Sequence, residues 1–184
     1  IGAILESDFE TQAHFHKHNS PIFQKDSDFE VFVDPFGSNH HYKELEVNAI
    51  NTVWNLMLNK PYDDGGEEYS GRIAKPGDEK YFEVYRQKTA TKIVRGSLND
   101  ENGSATWSIE VALSYKDLLA HTEQDNDGNF TTPNTGDAMR INFSRVEKQG
   151  EINWTWQPQI VWDPENHRYS GFVQMHLPDA WGYM

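Results

Sequence analysis

The sequence predicts an all-β protein, an antiparallel β-sandwich of the jelly-roll type with one short helix. Many short segments alternate apolar and polar side chains, as strands with one buried face do. Turn-forming residues such as those of Asp34–Asn39 separate these segments. The 184 residues include 10 Phe, 8 Tyr and 6 Trp, which is enough aromatic bulk for the packed core of one domain.

The first half of the chain is predicted to form a meander of short strands. The Asp-Pro turn after Val33 joins two alternating segments as a hairpin, and Pro61 ends the segment after them. The predicted strands are Ile1–Leu5, Asp28–Val33, Tyr42–Asn48 and Thr52–Asn59, with weaker ones at Phe82–Tyr85 and Lys92–Gly96.

The second half contains the two most regular alternations. Ser114 has the chemistry of an N-cap and predicts a short helix at Tyr115–Ala120. Further strands are expected at Thr106–Leu113, Ala138–Val146, Asn153–Gln157, Gly171–Gln174 and the C-terminal residues. Six apolar side chains are expected to be buried between two sheets: Trp107, Ile109, Val111, Met139, Ile141 and Phe143.

Charge and composition exclude several classes of function. The net charge of −13 disfavours nucleic acid and anionic membranes, because both select basic surfaces. The chain contains no cysteine, so no disulfide framework is expected. It contains no apolar run near the ~20 residues of a membrane span, and we expect no membrane insertion.

Two strands carry polar side chains on one face. Glu44, Glu46 and Asn48 share a face of one strand, while Arg140 and Asn142 share a face of another. If both strands lie in one sheet, Arg140 is expected to pair with Glu46 or Glu44. Carboxylates, amides and guanidinium groups suit hydroxyl-rich ligands, since each hydroxyl both donates and accepts. A solvated sheet face or a structural ion-pair lattice would give the same pattern.

The ordered segments resemble the family 9 carbohydrate-binding modules and their wider relatives along nearly the whole chain. Members usually carry one or two further strands before the position of Ile1, so we expect a single domain, 1–184, trimmed from a longer protein. The landmarks of the resemblance are Asp28–Pro35, Tyr42–Trp54, Trp107–Leu113, Gly136–Val146, Trp154–Pro158 and Met175–Tyr183.

The resemblance implies a sandwich that binds sugars without cleaving them and that holds structural calcium. Members clamp a sugar between two tryptophans. Glu30 matches the binding carboxylate, and Trp154 or Trp156 matches the later clamp. The chain departs from the pattern at the first clamp, where it has Ile22–Gln24, and at the binding arginine, where it has Glu46.

Together these arguments give an expected ligand-binding set. Trp154 and Trp156 share one parity of a strand, so one face would hold both as a stacking platform, although either ring could instead belong to the core. The expected ligand-binding residues are Trp154, Trp156, Asn153, Glu30, Glu44, Glu46, Asn48, Arg140 and Asn142.

The sequence evidence for metal ligands is weaker than that for the ligand-binding set. Asp125 and Asp127 lie in an acidic loop with oxygen ligands at alternate positions, which resembles a calcium loop without its final Glu. His14, His16 and His18 have a spacing that can bind zinc. Haem is a further candidate, because related sandwiches include b-type haem domains and His or Met side chains serve as axial ligands.

The sequence therefore predicts a non-catalytic carbohydrate-binding module, because no hydrolase or phosphate-binding motif stands out. We expect a bacterial protein located extracellularly, in the periplasm or on the cell surface, with a further domain of the parent protein as a neighbour. One alternative is a structural or protein-interaction domain on the same fold. The other is a glycan-active enzyme.

Overall fold

The computed structural model describes residues 1–120 and 133–184 and has an almost entirely β architecture. The predicted all-β antiparallel sandwich is confirmed. The strands of the described part are β1 (Gly2–Leu5), β2 (Asp28–Asp34), β3 (Tyr42–Asn48), β4 (Val53–Leu58), β5 (Glu68–Ser70), β6 (Lys88–Gly96), β7 (Ala105–Ala112), β8 (Arg140–Glu147), β9 (Ile152–Thr155), β10 (Gln159–Asp163), β11 (Arg168–Phe172) and β12 (Gly182–Tyr183). The short helix α1 is Tyr115–Leu118, and 3₁₀ turns lie at Tyr62–Asp64, Lys148–Gly150 and Pro178–Ala180.

The larger sheet has the strand order β12-β8-β2-β3-β4-β5, and β9 pairs with the second half of β8. Every pairing is antiparallel. Asp34 shapes the β2–β3 connection, because its carboxylate accepts hydrogen bonds from the backbone N–H groups of Phe36, Ser38 and Asn39. Asn48 shapes the next turn, where its side-chain oxygen accepts from the N–H groups of Ile50 and Thr52.

The smaller sheet, β1-β7-β6, covers one face of the larger sheet. Trp107, Ile109 and Val111 project from β7 into a core that alternate residues of β2, β3 and β8 complete. Of the six side chains predicted to be buried, five are buried and Phe143 is half-buried. This core explains why alternation was so regular in β7 and β8, since each strand has one apolar face.

The opposite face of the larger sheet is also covered. Phe32, Tyr42 and Trp54 on that face pack against Ile22 and Trp181, which lie outside strands β2 to β4. The polar face of β3 is therefore not a solvated surface, because this strand is buried along its whole length. This second, smaller core therefore removes the acidic side chains on the same face of β2 and β3 from water.

Some predicted elements differ from those observed. Phe82–Tyr85 is not a strand, and its Phe82 and Val84 instead pack with Met57 in a small third cluster. The strand expected at Gly171–Gln174 lies earlier, at Arg168–Phe172, and pairs with β10. The structure adds the short strand β5 at the sheet edge. In the described part of the chain, no helix is both long and apolar enough to cross a membrane.

Candidate functional site

Strands β2, β3 and β8 bring acidic side chains together on the second face of the larger sheet. Glu30 lies directly opposite Glu46 on one side and Ser144 on the other. Asp28, Glu30, Glu44 and Glu46 are all buried. Residues that alternate along neighbouring strands in register necessarily share a face, so the hairpin itself places these four carboxyl groups in one layer.

Burial strongly perturbs these acids. It raises the pKa of Glu30 to about 7, although the Ser144 hydroxyl, which donates to this carboxylate, acts in the opposite direction. Burial also raises the pKa of Asp28, Glu44 and Glu46 well above the usual range, and the charges of the neighbouring acids raise it further. Burial disfavours the charged form of a carboxyl group, and one ionised carboxylate disfavours the ionisation of its neighbour.

Three of the acids are arranged so that one ion could touch them all. One oxygen from each of Asp28, Glu30 and Glu46 lies within 4.8 Å of the other two. Glu44 does not belong to this group. Glu44 instead lies two residues from Glu46 on the same face of β3.

A pocket of about 280 Å³ opens in front of this acidic layer. It mixes aromatic rings with carboxyl, amide and imidazole groups, a combination typical of sites for small polar ligands. Its lining residues are Phe23, Gln24, Glu44, Glu46, Trp54, Leu56, Tyr62, Asn153, Val173, Gln174, Met175 and His176.

Three buried polar atoms of the pocket lining have no hydrogen-bond partner within the protein. They are Nε1 of Trp54, Oε2 of Glu44 and Oδ1 of Asn153. Buried polar groups are nearly always hydrogen-bonded, and leaving one unpaired costs about 1–3 kcal/mol. Three residues that line one pocket therefore carry one donor and two acceptors with unused bonding capacity.

The pocket mouth is aromatic. Tyr62 is 43% exposed, and its ring packs edge-on against the His176 imidazole at 4.7 Å between centroids. Nδ1 of His176 shares a hydrogen bond of 3.0 Å with the Tyr42 hydroxyl, while Nε2 lies 3.8 Å from Oε2 of Glu44. Burial lowers the pKa of His176 to about 4, against the attraction of Asp63. The imidazole is therefore neutral at pH 7.

Several residues of the expected binding set are engaged in the fold. The side-chain amide of Asn48 donates to the Phe15 carbonyl and the Asp26 carboxylate. The side-chain oxygen of Asn142 accepts from the N–H of Gln157. Of the expected set, only Glu44, Glu46 and Asn153 line the pocket, and Glu30 lies buried behind it beside Glu46.

Arg140 lies at the far end of the polar face. Its guanidinium pairs with Asp179 at 2.9 Å and also donates to Asn39. The pairing expected with Glu44 or Glu46 is replaced by these contacts, because β8 runs antiparallel to β2 and places Arg140 opposite Asp34. The guanidinium of Arg140 therefore does not pair with the acidic layer, as the sequence had suggested it would.

Trp154 and Trp156 lie on the opposite face of the sheet from the pocket. In the β8–β9 register Trp154 is opposite Arg145, whereas Thr155 is opposite Ser144 on the acidic face. Trp156 packs against Phe143 at 5.7 Å, and the Arg145 guanidinium lies 5.1 Å from the Trp154 ring. The two tryptophans are 45% and 49% exposed. The platform and the carboxylates predicted to act together are therefore separated by the sheet.

The remaining metal candidates give a mixed outcome. Asp125 and Asp127 fall outside the described residues. Among residues 1–120 and 133–184, one group of three or more His, Cys, Asp or Glu side chains is close enough to hold a metal ion. It consists of Asp28, Glu30 and Glu46. The structure does not bring His14, His16 and His18, whose spacing could have bound zinc, together as a group of metal ligands, and His18 pairs with Glu83 at 2.8 Å.

Sequence reasoning missed three ring-bearing residues of the pocket lining, Trp54, Tyr62 and His176. Trp54 could have been found, because the short turn after Asn48 sets a register in which Trp54 lies opposite Glu46. Tyr62 and His176 reach the pocket from a 3₁₀ turn and from a loop before β12. No periodic pattern marks such positions.

Comparison with known proteins gives one informative match. No protein-family model matches the chain, and no curated protein matches it. A solved structure from Bacteroides uniformis, provisionally described as a carbohydrate-binding protein, superposes with a TM-score of 0.61 at 14% sequence identity. The match covers 99% of this chain and 70% of that one. At this identity the similarity establishes a shared fold.

Proposed function

We propose that this chain is a non-catalytic carbohydrate-binding module whose sugar site is the pocket between Trp54, Tyr62, Glu44 and Asn153. The observation that carries the proposal is that three residues lining one pocket each carry a buried polar atom without a hydrogen-bond partner. Sugar hydroxyls donate and accept at once, so they can satisfy a donor and two acceptors together. The fold shared with the Bacteroides uniformis protein supports the same ligand class.

Each group has a distinct role in the proposed site. The exposed face of Tyr62 would stack on the C–H face of a sugar ring, which aromatic side chains at wet sites do well. Glu44 and Asn153 would accept hydrogen bonds from hydroxyls, and the Trp54 indole N–H would donate one. Because hydroxyl contacts compete with water and the site is small, we expect weak binding.

The geometry favours binding over hydrolysis. Retaining and inverting glycosidases place two carboxyl groups about 5–5.5 Å or 6.5–9.5 Å apart across the scissile bond. Glu44 and Glu46 instead lie two residues apart on one face of β3 and line the same side of the pocket. Such a module would serve a bacterial protein outside the cytoplasm, where polysaccharides are met, beside a further domain of the parent protein.

A structural or protein-interaction role is the second candidate, and the hairpin β10–β11 favours it. Trp162 and Tyr169 pack on each other at 5.3 Å between ring centroids and are both largely exposed. Exposed aromatic clusters commonly mark interaction sites. This hairpin is distinct from the pocket, so the two candidates can be separated by substitution.

The test is a glycan array followed by calorimetry on the responding sugar. Tyr62→Ala should weaken binding at least ~tenfold, because it removes the stacking ring. Tyr169→Ala, which removes an equally large and 69% exposed ring from the hairpin, is the matched control and should bind like the wild type. No response to any glycan, or equal loss in both variants, would contradict the proposed site.

A further inference from the structure

We propose that Asp28, Glu30 and Glu46 form a binding site for a single calcium ion, held between β2 and β3 behind the pocket. The site is independent of the proposed sugar function, although Glu46 borders both. It also differs from the acidic loop around Asp125 and Asp127, where the sequence suggested calcium.

The spacing of the three carboxylates suits calcium. Calcium–oxygen distances are about 2.3–2.6 Å, so two oxygens on opposite sides of one ion lie about 5 Å apart. The ligand oxygens of Asp28, Glu30 and Glu46 all lie within 4.8 Å of one another. One ion can therefore contact all three without movement of the backbone.

Three of the six carboxylate oxygens of these acids have no hydrogen-bond partner. Both carboxylate oxygens of Asp28, which is 0% exposed, and Oε1 of Glu30 lack a hydrogen-bond partner. The Val146 N–H faces Asp28 across the β2–β8 register and relieves its carboxylate only in part. Glu46 accepts a hydrogen bond from the Phe23 N–H, which leaves lone pairs for an ion.

A neighbouring acid shows that this fold can satisfy a buried carboxylate by itself. Asp26, equally buried, accepts hydrogen bonds from the backbone N–H groups of His14 and Phe15 and from the Asn48 amide. Asp28 lies two residues away and has no comparable set of donors. This contrast between Asp26 and Asp28 indicates that the Asp28 carboxylate binds a ligand instead of accepting hydrogen bonds from the protein.

Charge balance points the same way. Buried carboxylates are strongly unfavourable unless a cation or hydrogen bonds compensate them. Arginines of the larger sheet and its loops pair with other acids, Arg145 with Glu147, Arg72 with Glu68 and Arg140 with Asp179. A divalent cation would neutralise most of the charge of the three acids at once.

The ligand chemistry selects calcium among common divalent ions. All three ligands are hard oxygen donors, which suit calcium, magnesium and manganese better than zinc. Magnesium gives up its water molecules reluctantly and usually keeps several. A buried site of carboxylates, each able to bind through one or two oxygens, therefore fits the larger and more flexible calcium shell.

Terbium luminescence provides the direct test on the full chain. Terbium replaces calcium, and the indole of Trp54, opposite Glu46 in the β3–β4 register, can sensitise it. We expect luminescence that calcium displaces, with one ion per chain in calorimetry. Asp28→Asn should weaken calcium binding at least ~tenfold. The control variant Glu110→Gln, which changes an exposed acid, should keep a terbium signal that calcium displaces. The double variant Asp125→Asn/Asp127→Asn should keep this signal as well.

A second measurement keeps the proposal testable if Asp28→Asn does not fold. The wild-type melting temperature should rise in calcium relative to excess chelator, because an ion that binds only the folded chain stabilises it. Glu30→Gln should lose most of this rise. An unchanged wild-type melt with no terbium signal would overturn the proposal, as would a calcium response kept in Asp28→Asn but lost in Asp125→Asn/Asp127→Asn.

Discussion

Acidification should destabilise the protein through His176, and the variant His176→Gln isolates the effect. The folded-state pKa of His176 is about 4, against 6.5 for an exposed imidazole. As pH falls below 6.5 the unfolded chain therefore binds a proton that the folded chain refuses, and stability is lost until pH 4 is reached. Between pH 7 and pH 5 this shift corresponds to about 2 kcal/mol.

The groups around His176 determine how the experiment must be designed. Tyr42, Glu44, Tyr62 and Asp63 face the imidazole. Burial and the charge of Glu30 raise the pKa of Glu44, which weakens its attraction for a charged imidazole as the pH falls. The raised pKa of Glu30 acts oppositely on stability, since the folded chain takes up that proton as pH falls below 7. The wild-type curve alone would mix these effects.

Urea unfolding of the wild type and His176→Gln at pH 7, 6 and 5 separates them. The glutamine keeps a polar partner for the Tyr42 hydroxyl, and the acidic layer is common to both proteins. We expect the free-energy difference between the two proteins to move by about 2 kcal/mol in favour of the variant from pH 7 to pH 5. Parallel curves, with a constant difference, would refute the neutral buried imidazole.

Two further predictions concern stability and are checked by urea unfolding at pH 7. Trp107→Ala should lower the free energy of unfolding by about 3–5 kcal/mol, because the side chain is fully buried. Trp154 is half-exposed, so Trp154→Ala should lower it by about 1 kcal/mol or less. Similar losses in the two variants would place Trp154 in the core. Asp26→Ala should lower the free energy of unfolding by at least ~2 kcal/mol, because three donors lose their acceptor. In excess chelator, Asp28→Asn should have a free energy of unfolding no lower than that of the wild type.

Alternation along the chain predicted the sheets because each central strand has one apolar face against the smaller sheet. Tyr42–Asn48 was predicted with its observed bounds for this reason. The same pattern could not reveal that the polar face is also covered. Ile22 and Trp181 cover it from segments far away in sequence, and only the complete packing shows that Glu44 and Glu46 leave water.

The separation of Trp154 and Trp156 from the acids has a similar cause. Their shared parity was correct, but parity within one strand does not say which face it occupies. A shift of one residue in the β8–β9 register would have moved both rings to the face of Glu30. The observed pairing of Ser144 with Thr155 places them on the other side. In contrast, the tight turn after Asn48 fixes the register that brings Trp54 to Glu46.

The indole N–H signals of the six tryptophans offer the most direct test of the sugar site. In a ¹H–¹⁵N correlation spectrum, titration with the sugar that responds on the array should shift the Trp54 signal, because its unpartnered Nε1–H gains an acceptor. The signals of Trp154 and Trp156, on the opposite face, should stay in place, and Trp54→Phe should identify the shifting peak by its loss. A shift of Trp154 or Trp156 with Trp54 unchanged would contradict a sugar site in this pocket.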